Sequence, residues 1–256
     1  MLSKELLHQY LQLNHKKQRV VVVSDSLSMP RPDELIALQF EETYPYLLTK
    51  ELNNEYEVIN RGKRSNTIID QCIDQNIYDD ILFFFPKFVV VQLGIVDCAP
   101  RLFSKRFGKY IINSIRPTFL RDYIIGQFSR HRLFLTKHFL IQDVPINKFS
   151  NLYDYLLSTI IEFGSIPITV NISRTSSHNE SRSYNFQQHI ENYNRIILET
   201  ANRHKAIHID MYFESENNEI LFPDGIHYNH LGSEIVANKI ASEIKNYMEK
   251  SIAKEV

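Results

Sequence analysis

Apolar residues along the chain fall into two patterns, short unbroken runs and longer stretches spaced at three and four. The first run lies in "VVVVSDSLSMP" (20–30), where four valines stop at Ser-Asp-Ser-Leu. A short β-branched run of this kind reads as a strand buried on both faces. Four further strands are predicted from "YEVIN" (56–60), "KFVVVQLG" (87–94), "SIPITVNIS" (165–173) and "KAIHIDMY" (205–212). Helical spacing appears between them. Leu2, Leu6, Tyr10 and Leu13 predict an amphipathic N-terminal helix over roughly residues 1–18. "TYPYLLTKEL" opens a helix at Thr43 with Pro45 in its first turn. Helices are also expected over "SNTIIDQCIDQNI" (65–77), "NLYDYLLSTIIEFG" (151–164), "FQQHIENYNRIILETANRH" (186–204) and "HLGSEIVANKIASEIKNYM" (230–248).

Fully apolar strands alternating with helices indicate an α/β domain built on a mostly parallel sheet covered on both faces. Residues 100–150 break the rhythm. They are aromatic and basic, and predict a helical insertion between the third and fourth strands. With no repeat, linker or low-complexity tract in view, the expectation is a single domain over residues 1–256.

Composition narrows the classes. Two cysteines, Cys72 and Cys98, make no disulfide framework and point to a reducing compartment. The N-terminal stretch lacks the apolar core of a signal peptide and no run is long enough to span a membrane, so a cytoplasmic protein is expected. The net charge of -1 gives no overall attraction to nucleic acid, and no nucleic-acid partner is expected. Charge is uneven, however. Residues 101–150 hold ten Lys or Arg against two acids, leaving 19 basic and 28 acidic residues elsewhere. A basic segment on an acidic body suits an anionic substrate, a phosphate-bearing carrier or an acidic partner, with a solvated surface as the plainer account. The ten histidines show no ligand spacing with cysteines or acids, so no metal and no cofactor is expected. Nothing in the sequence speaks to oligomeric state.

Candidate chemistry begins at Ser26. A serine just past a buried parallel strand is either a turn cap or a nucleophile at the sheet edge where open α/β folds bind ligands. Only seven glycines occur, and Gly62, Gly94, Gly225 and Gly232 all fall in loops on that same edge. In "PDGIH" (223–227), Asp224 and His227 are spaced so that the carboxylate holds one imidazole nitrogen while the other faces a nucleophile.

Taken together, "SDSL" after the first strand, "NRGKRSNT" after the second, "QLGIVD" after the third and "DGIHYNHLG" before the last helix resemble the SGNH, or GDSL-type, hydrolase superfamily. The resemblance spans residues 20–245, the insertion excepted. It implies a flavodoxin-like three-layer sandwich with a five-stranded parallel sheet. It also implies Ser-His-Asp ester chemistry, with Ser26 as nucleophile, His227 as general base and Asp224 as its orienting carboxylate. The backbone N–H groups of Ser26 and Gly62 would then contribute to the oxyanion hole.

Two departures stand out. The first block carries Ser24 where the superfamily usually has glycine. The third block, usually Gly-X-Asn-Asp, is here Gly94-Ile95-Val96-Asp97, so the amide that completes the oxyanion hole is replaced by an apolar side chain. Asn66, Asn171 and Arg101 are candidates for the missing donor. Arg61, Lys63 and Arg64 flank the site and suit a phosphate or carboxylate, while Asp97 braces its loop. Asp25, Arg61, Asn66, Asp97, Arg101 and Asn171 form the candidate substrate-binding set. Cys98 reads as a buried loop residue and not a nucleophile, and "SRTSSHNESR" (173–182) as a polar loop after the fourth strand.

The expected function is a serine esterase that cleaves an acyl ester, acetyl foremost, on a polar substrate such as a glycan or glycan precursor. An O-acyltransferase using the same apparatus, and a binding protein that kept the fold while losing catalytic power at Val96, are the alternatives.

Overall fold

The structure, a computed structural model, describes residues 17–31, 38–53, 55–216 and 219–255. The helix expected over residues 1–18 lies outside them, apart from its last two positions. Five strands form one sheet: β1 (Gln18–Ser24), β2 (Tyr56–Asn60), β3 (Phe88–Gln92), β4 (Ile166–Val170) and β5 (Ile207–Ile209). Every pairing is parallel and the order is β2-β1-β3-β4-β5, the doubly wound flavodoxin-like arrangement. In β1 and β3, Val20–Val23 and Phe88–Val91 are fully shielded from water. This is why the central strands read as unbroken apolar runs.

Parallel neighbours cannot be joined by tight hairpins, so crossover connections carry the helices over the sheet. From β1 the chain moves to the β2 edge through α1 (Tyr44–Glu51), then returns past β1 to β3 through α2 (Ile68–Gln71) and α3 (Asp74–Asp80). Beyond β3 lie α4 (Ile95–Cys98), the insertion helices α5 (Lys105–Ser114), α6 (Thr118–Arg130) and α7 (Arg132–His138), then α8 (Ile146–Glu162). After β4 come α9 (Ser177–Arg182) and α10 (Phe186–His204), and after β5 the long α11 (His230–Glu255). The first crossover and the later ones run in opposite directions across the sheet. Helix α1 therefore packs with α11 on one face, while α8 packs with α10 on the other.

Four elements differ from the sequence reading, each for a local reason. The segment 173–182, expected as a polar loop, forms helix α9 over Ser177–Arg182, where Ser176 Oγ accepts from Asn179 N at 3.3 Å and caps the first turn. The helix expected over 65–77 is two helices. Thr67 and Asp70 cap the first reciprocally, and Asn76 Nδ2 then takes the Asp70 carbonyl at 2.6 Å, which turns the chain between them. Strand β5 stops at Ile209 because Asp210 Oδ1 bends back to accept from Tyr212 N at 2.8 Å and Asn171 Nδ2 at 2.9 Å. Helix α8 starts at Ile146, five residues early, with Pro145 at its N-cap. The expected insertion is helical and rooted in the body: Arg132 donates to the Pro100 carbonyl at 2.8 Å and to Ser183 Oγ at 2.7 Å. Its outer surface carries Tyr110, Phe119, Tyr123 and Phe134, all exposed. Among the described residues no helix is long and apolar enough to cross a membrane.

Candidate active site

Strand β1 delivers its last residue, Ser24, beside Gln92 at the end of β3. The connections from β1 and β3 leave in opposite directions here, and such a switch point opens a crevice at the carboxyl edge of the sheet. The chain turns at Asp25, whose Oδ1 accepts from Leu27 N at 2.9 Å and caps a short 3-10 turn over Ser26–Ser28. Capping therefore belongs to Asp25. Ser26, half-buried, is left with its hydroxyl toward the loop that precedes α11.

That loop is a tight turn. Phe222 N donates to the His227 carbonyl at 2.8 Å, Gly225 N donates to the Phe222 carbonyl at 2.8 Å, and Gly225 sits at φ +67°. Asp224 Oδ1 accepts from the N–H groups of Ile226 and His227, each at 3.0 Å. Its other oxygen accepts from His227 Nδ1 at 2.7 Å. With Nδ1 protonated, Nε2 presents a lone pair, which accepts from Ser26 Oγ at 2.9 Å. Burial pushes the Asp224 carboxyl upward, but the bonds from the His227 ring and from the two backbone N–H groups outweigh it and hold the pKa down at about 2. A hydroxyl aimed at an imidazole fixed by an ionised carboxylate is the arrangement in which a base can take the hydroxyl proton.

A buried polar chain fixes the neighbourhood of His227. Ser24 Oγ donates to Gln92 Oε1 at 3.4 Å, Gln92 Nε2 donates to Tyr228 OH at 3.1 Å, and Tyr228 OH shares a proton with Ser173 Oγ at 2.9 Å. The ends of β1 and β3 and the segment after β4 are thereby tied to the residue after His227. Ser24 thus serves as a polar anchor.

Gly62 lies against the Ser26–Ser28 turn: a Cβ there would stand 2.0 Å from Ser28 Oγ. Its N–H, however, donates to Asn60 Oδ1 at 2.9 Å, and Asn60 also accepts from Ser28 Oγ at 3.0 Å. An oxyanion would have to displace Asn60 to gain that donor.

Each candidate substrate-binding residue has partners within the frame of the protein itself. Asp25 is fully buried and turned onto the Leu27 backbone. Arg61 Nη2 donates to Asp80 Oδ1 at 2.7 Å, and Lys63 pairs with the other oxygen of this buried carboxylate, so both cations brace the loop around Gly62. Asn66 Nδ2 donates to the Ser24 carbonyl at 3.3 Å and to Gln71 Oε1 at 3.1 Å. Asp97 accepts from Ile68 N at 2.9 Å. Arg101 Nε pairs with Asp143 at 3.0 Å and its Nη2 donates to the Val96 carbonyl at 3.0 Å. Asn171 donates to Asp210 at 2.9 Å and accepts from Met211 N at 2.6 Å. None of the three candidates for the missing donor has its polar head on Ser26. Neither thiol offers a nucleophile: burial pushes Cys98 well up and Cys72 up to about 12.

Sequence reasoning missed Arg31, Asn60 and Asp80. Arg31 Nη2 donates to His227 Nε2, and its Nη1 lies 4.0 Å from Asp224 Oδ2. The available signal was its place five residues after Ser26, between Pro30 and Pro32. Asn60 was legible in principle, since an Asn two residues before a Gly is the spacing of an Asx turn. Asp80, distant in sequence, left no signal.

No family model and no curated protein matches the chain. Solved structures do. The lipase/acylhydrolase from Enterococcus faecalis is 18% identical, with a TM-score of 0.63 over 90% of this chain and 96% of that one. The acetyl xylan esterase AlAXEase is 19% identical, with a TM-score of 0.58 over 88% and 99%. An acetylxylan esterase from Geobacillus stearothermophilus is 16% identical, with a TM-score of 0.58 over 89% and 94%. At these identities the likeness establishes the fold: the chain is a five-stranded, all-parallel α/β protein built as these three are.

Proposed function

We propose that the chain is a serine esterase of the SGNH type that removes an acyl group, acetyl foremost, from a polar substrate such as a glycan or glycan precursor. The observation that carries this reading is the line from Ser26 Oγ through His227 to Asp224, at 2.9 and 2.7 Å, on the carboxyl edge of the sheet. That two of the fold neighbours are described as acetyl xylan esterases supports the acetyl preference.

In the mechanism, Ser26 Oγ attacks the ester carbonyl as His227 Nε2 takes its proton. Asp224, ionised at any pH well above about 2, steadies the imidazolium without taking the proton. Collapse of the tetrahedral intermediate breaks the bond to the leaving oxygen, which receives that proton from His227. Water, deprotonated by His227, then attacks the acyl-serine, and Ser26 recovers its proton as the acid departs. The oxyanion is met by the N–H groups of Ser26 and Gly62, the latter once Asn60 yields. Val96 supplies no third donor. The loss of one oxyanion donor lowers turnover by about 10²–10³ in a serine protease, so slow turnover is expected. The same gap is what favours the alternative reading of a binding protein on this fold.

The test is hydrolysis of p-nitrophenyl acetate by the purified protein beside Ser26→Ala and His227→Ala. Slow turnover abolished in both variants is expected. Folded protein without serine-dependent turnover, and unlabelled at Ser26 by a fluorophosphonate, refutes the esterase reading. Capture of the acyl group by an added sugar in preference to water would identify a transferase.

A further inference from the structure

The insertion carries an apolar face that the rest of the chain does not cover. Helix α6 runs 13 residues and buries none of its side chains. In the flanking helices, Ile111 of α5 and Thr136 of α7 are the buried positions among the described side chains. Phe128 turns inward onto Phe103, with ring centroids 4.7 Å apart. Phe119, Leu120 and Tyr123, which share one face at the other end of α6, stay in water, Phe119 at 72% exposure and Tyr123 at 62%. Phe134, Phe139 and Leu140, in and just after α7, are exposed as well. Single exposed apolar residues are ordinary, but a group of large ones marks a surface built for contact.

Charge indicates what the contact is with. Over residues 105–138 eight Lys or Arg stand against one acid, Asp122, which Arg121 already holds at 2.9 Å. Arg116, Arg130 and Lys137 pair with no acid among the described residues. Arg116 and Arg121, with Asn113 and Thr118, line a cleft of about 480 Å³ between α5 and α6, next in sequence to Phe119 and Leu120. Guanidinium groups suit a phosphodiester, which accepts two parallel N–H bonds from each. A protein partner would need a shaped surface that is acidic and apolar at once. An anionic bilayer offers both without any shape requirement: phosphates for the cations and acyl chains for the rings.

We propose that the insertion docks the chain on an anionic lipid bilayer, with Phe119, Leu120 and Tyr123 entering the headgroup layer and the α5–α6 cleft taking a lipid phosphate. The chain then lies on the membrane surface without crossing it, and no described helix could cross. The docked face is tied to the active-site loop through α9. Arg132 Nε donates to Ser183 Oγ at 2.7 Å just past that helix, and Asn179 Nδ2 within it donates to the Asp224 carbonyl at 2.7 Å. Docking of this kind is independent of the ester chemistry at Ser26.

Co-sedimentation of the full chain with vesicles measures the docking. Vesicles of phosphatidylglycerol mixed equally with phosphatidylcholine should bind it about tenfold or more tightly than phosphatidylcholine alone at ~0.1 M salt, and ~1 M salt should erase the difference. Phe119→Ser combined with Tyr123→Ser should weaken binding to the anionic vesicles about tenfold while leaving urea unfolding unchanged, because both rings are exposed. Arg116→Gln combined with Arg121→Gln should weaken it by a similar factor. The chain has no tryptophan, so Tyr123→Trp supplies a single reporter whose emission should shift to the blue on anionic vesicles and not on neutral ones. Equal binding to the two vesicles, binding that survives either double substitution, or an emission that does not shift would overturn the proposal. So would a vesicle-free dimer that Phe119→Ser with Tyr123→Ser dissociates, since a second copy of the chain would then be what covers the face. None of these measurements requires hydrolysis, so their outcome and that of the esterase test are read separately.

Discussion

Asp25 offers a direct test of how the nucleophile turn is built, through the substitution Asp25→Asn. The carboxyl is fully buried, and burial raises its pKa from the ordinary 3.8 to about 7. The Leu27 N–H holds it back, the Asp97 carboxylate adds to the rise, and Arg31 opposes it. Oδ2 meets no partner among the described residues. A raised carboxyl pKa means the folded protein binds the proton more tightly than the unfolded chain. Its stabilising contribution is complete below pH 3.8, declines as pH rises, and is lost once pH passes about 7. At about 1.4 kcal/mol per pKa unit, that interval corresponds to ~4 kcal/mol. Asparagine keeps the oxygen that caps Leu27 and never ionises. The variant should therefore match the wild type near pH 4 and exceed it by up to ~4 kcal/mol at pH 8, or about 8–16 °C in Tm for a chain of this size. Urea unfolding of both proteins from pH 4 to 9 measures this, since groups titrating alike in both cancel in the difference. A difference that stays flat across that range would refute the reasoning, because it would mean the Asp25 carboxylate is solvated or paired.

Gly62→Ala places a Cβ 2.0 Å from Ser28 Oγ and 3.1 Å from the Asp25 carbonyl, so the turn that carries Ser26 must shift. A loss of about 1–3 kcal/mol in urea unfolding is expected, with ester turnover falling further than stability explains. Asp224→Asn preserves the side-chain shape but lets its amide donate toward His227 Nδ1. That favours the imidazole tautomer with Nε2 protonated, which cannot accept from Ser26. In a serine protease such a change lowers kcat by about 10⁴; here p-nitrophenyl acetate kinetics should show a fall of that order with KM little altered, and a loss under tenfold would contradict the assigned tautomer.

Much of the architecture was legible because it rests on local physics. Strands covered on both faces must be apolar throughout, so Val20–Val23 and Phe88–Val91 identified the centre of the sheet without any tertiary knowledge. Helix α10 matches its expected bounds, since its apolar face repeats at Phe186, Ile190, Tyr193 and Ile197. Ser26, Asp224 and His227 could be picked out as candidates because a turn after a buried strand and a carboxylate three residues before an imidazole are short-range patterns, and because the blocks that carry them could be read together. Their approach to 2.9 Å across 201 positions follows from the strand order, which sets the β1 turn beside the loop entering α11.

What only the tertiary structure decided was the fate of the charged and amide side chains around that line. A sequence shows that Arg61, Lys63, Asn66 and Arg101 stand near functional blocks. It cannot show that Asp80 or Asp143, remote along the chain, will claim three of them, or that Asn66 will settle on Ser24 and Gln71. Side-chain hydrogen bonds and ion pairs reach only about 3 Å, so their partners are fixed by packing that brings distant segments together and not by neighbours in sequence. For the same reason Arg31, unremarkable beside its prolines, emerges only in the folded chain as the cation resting on His227.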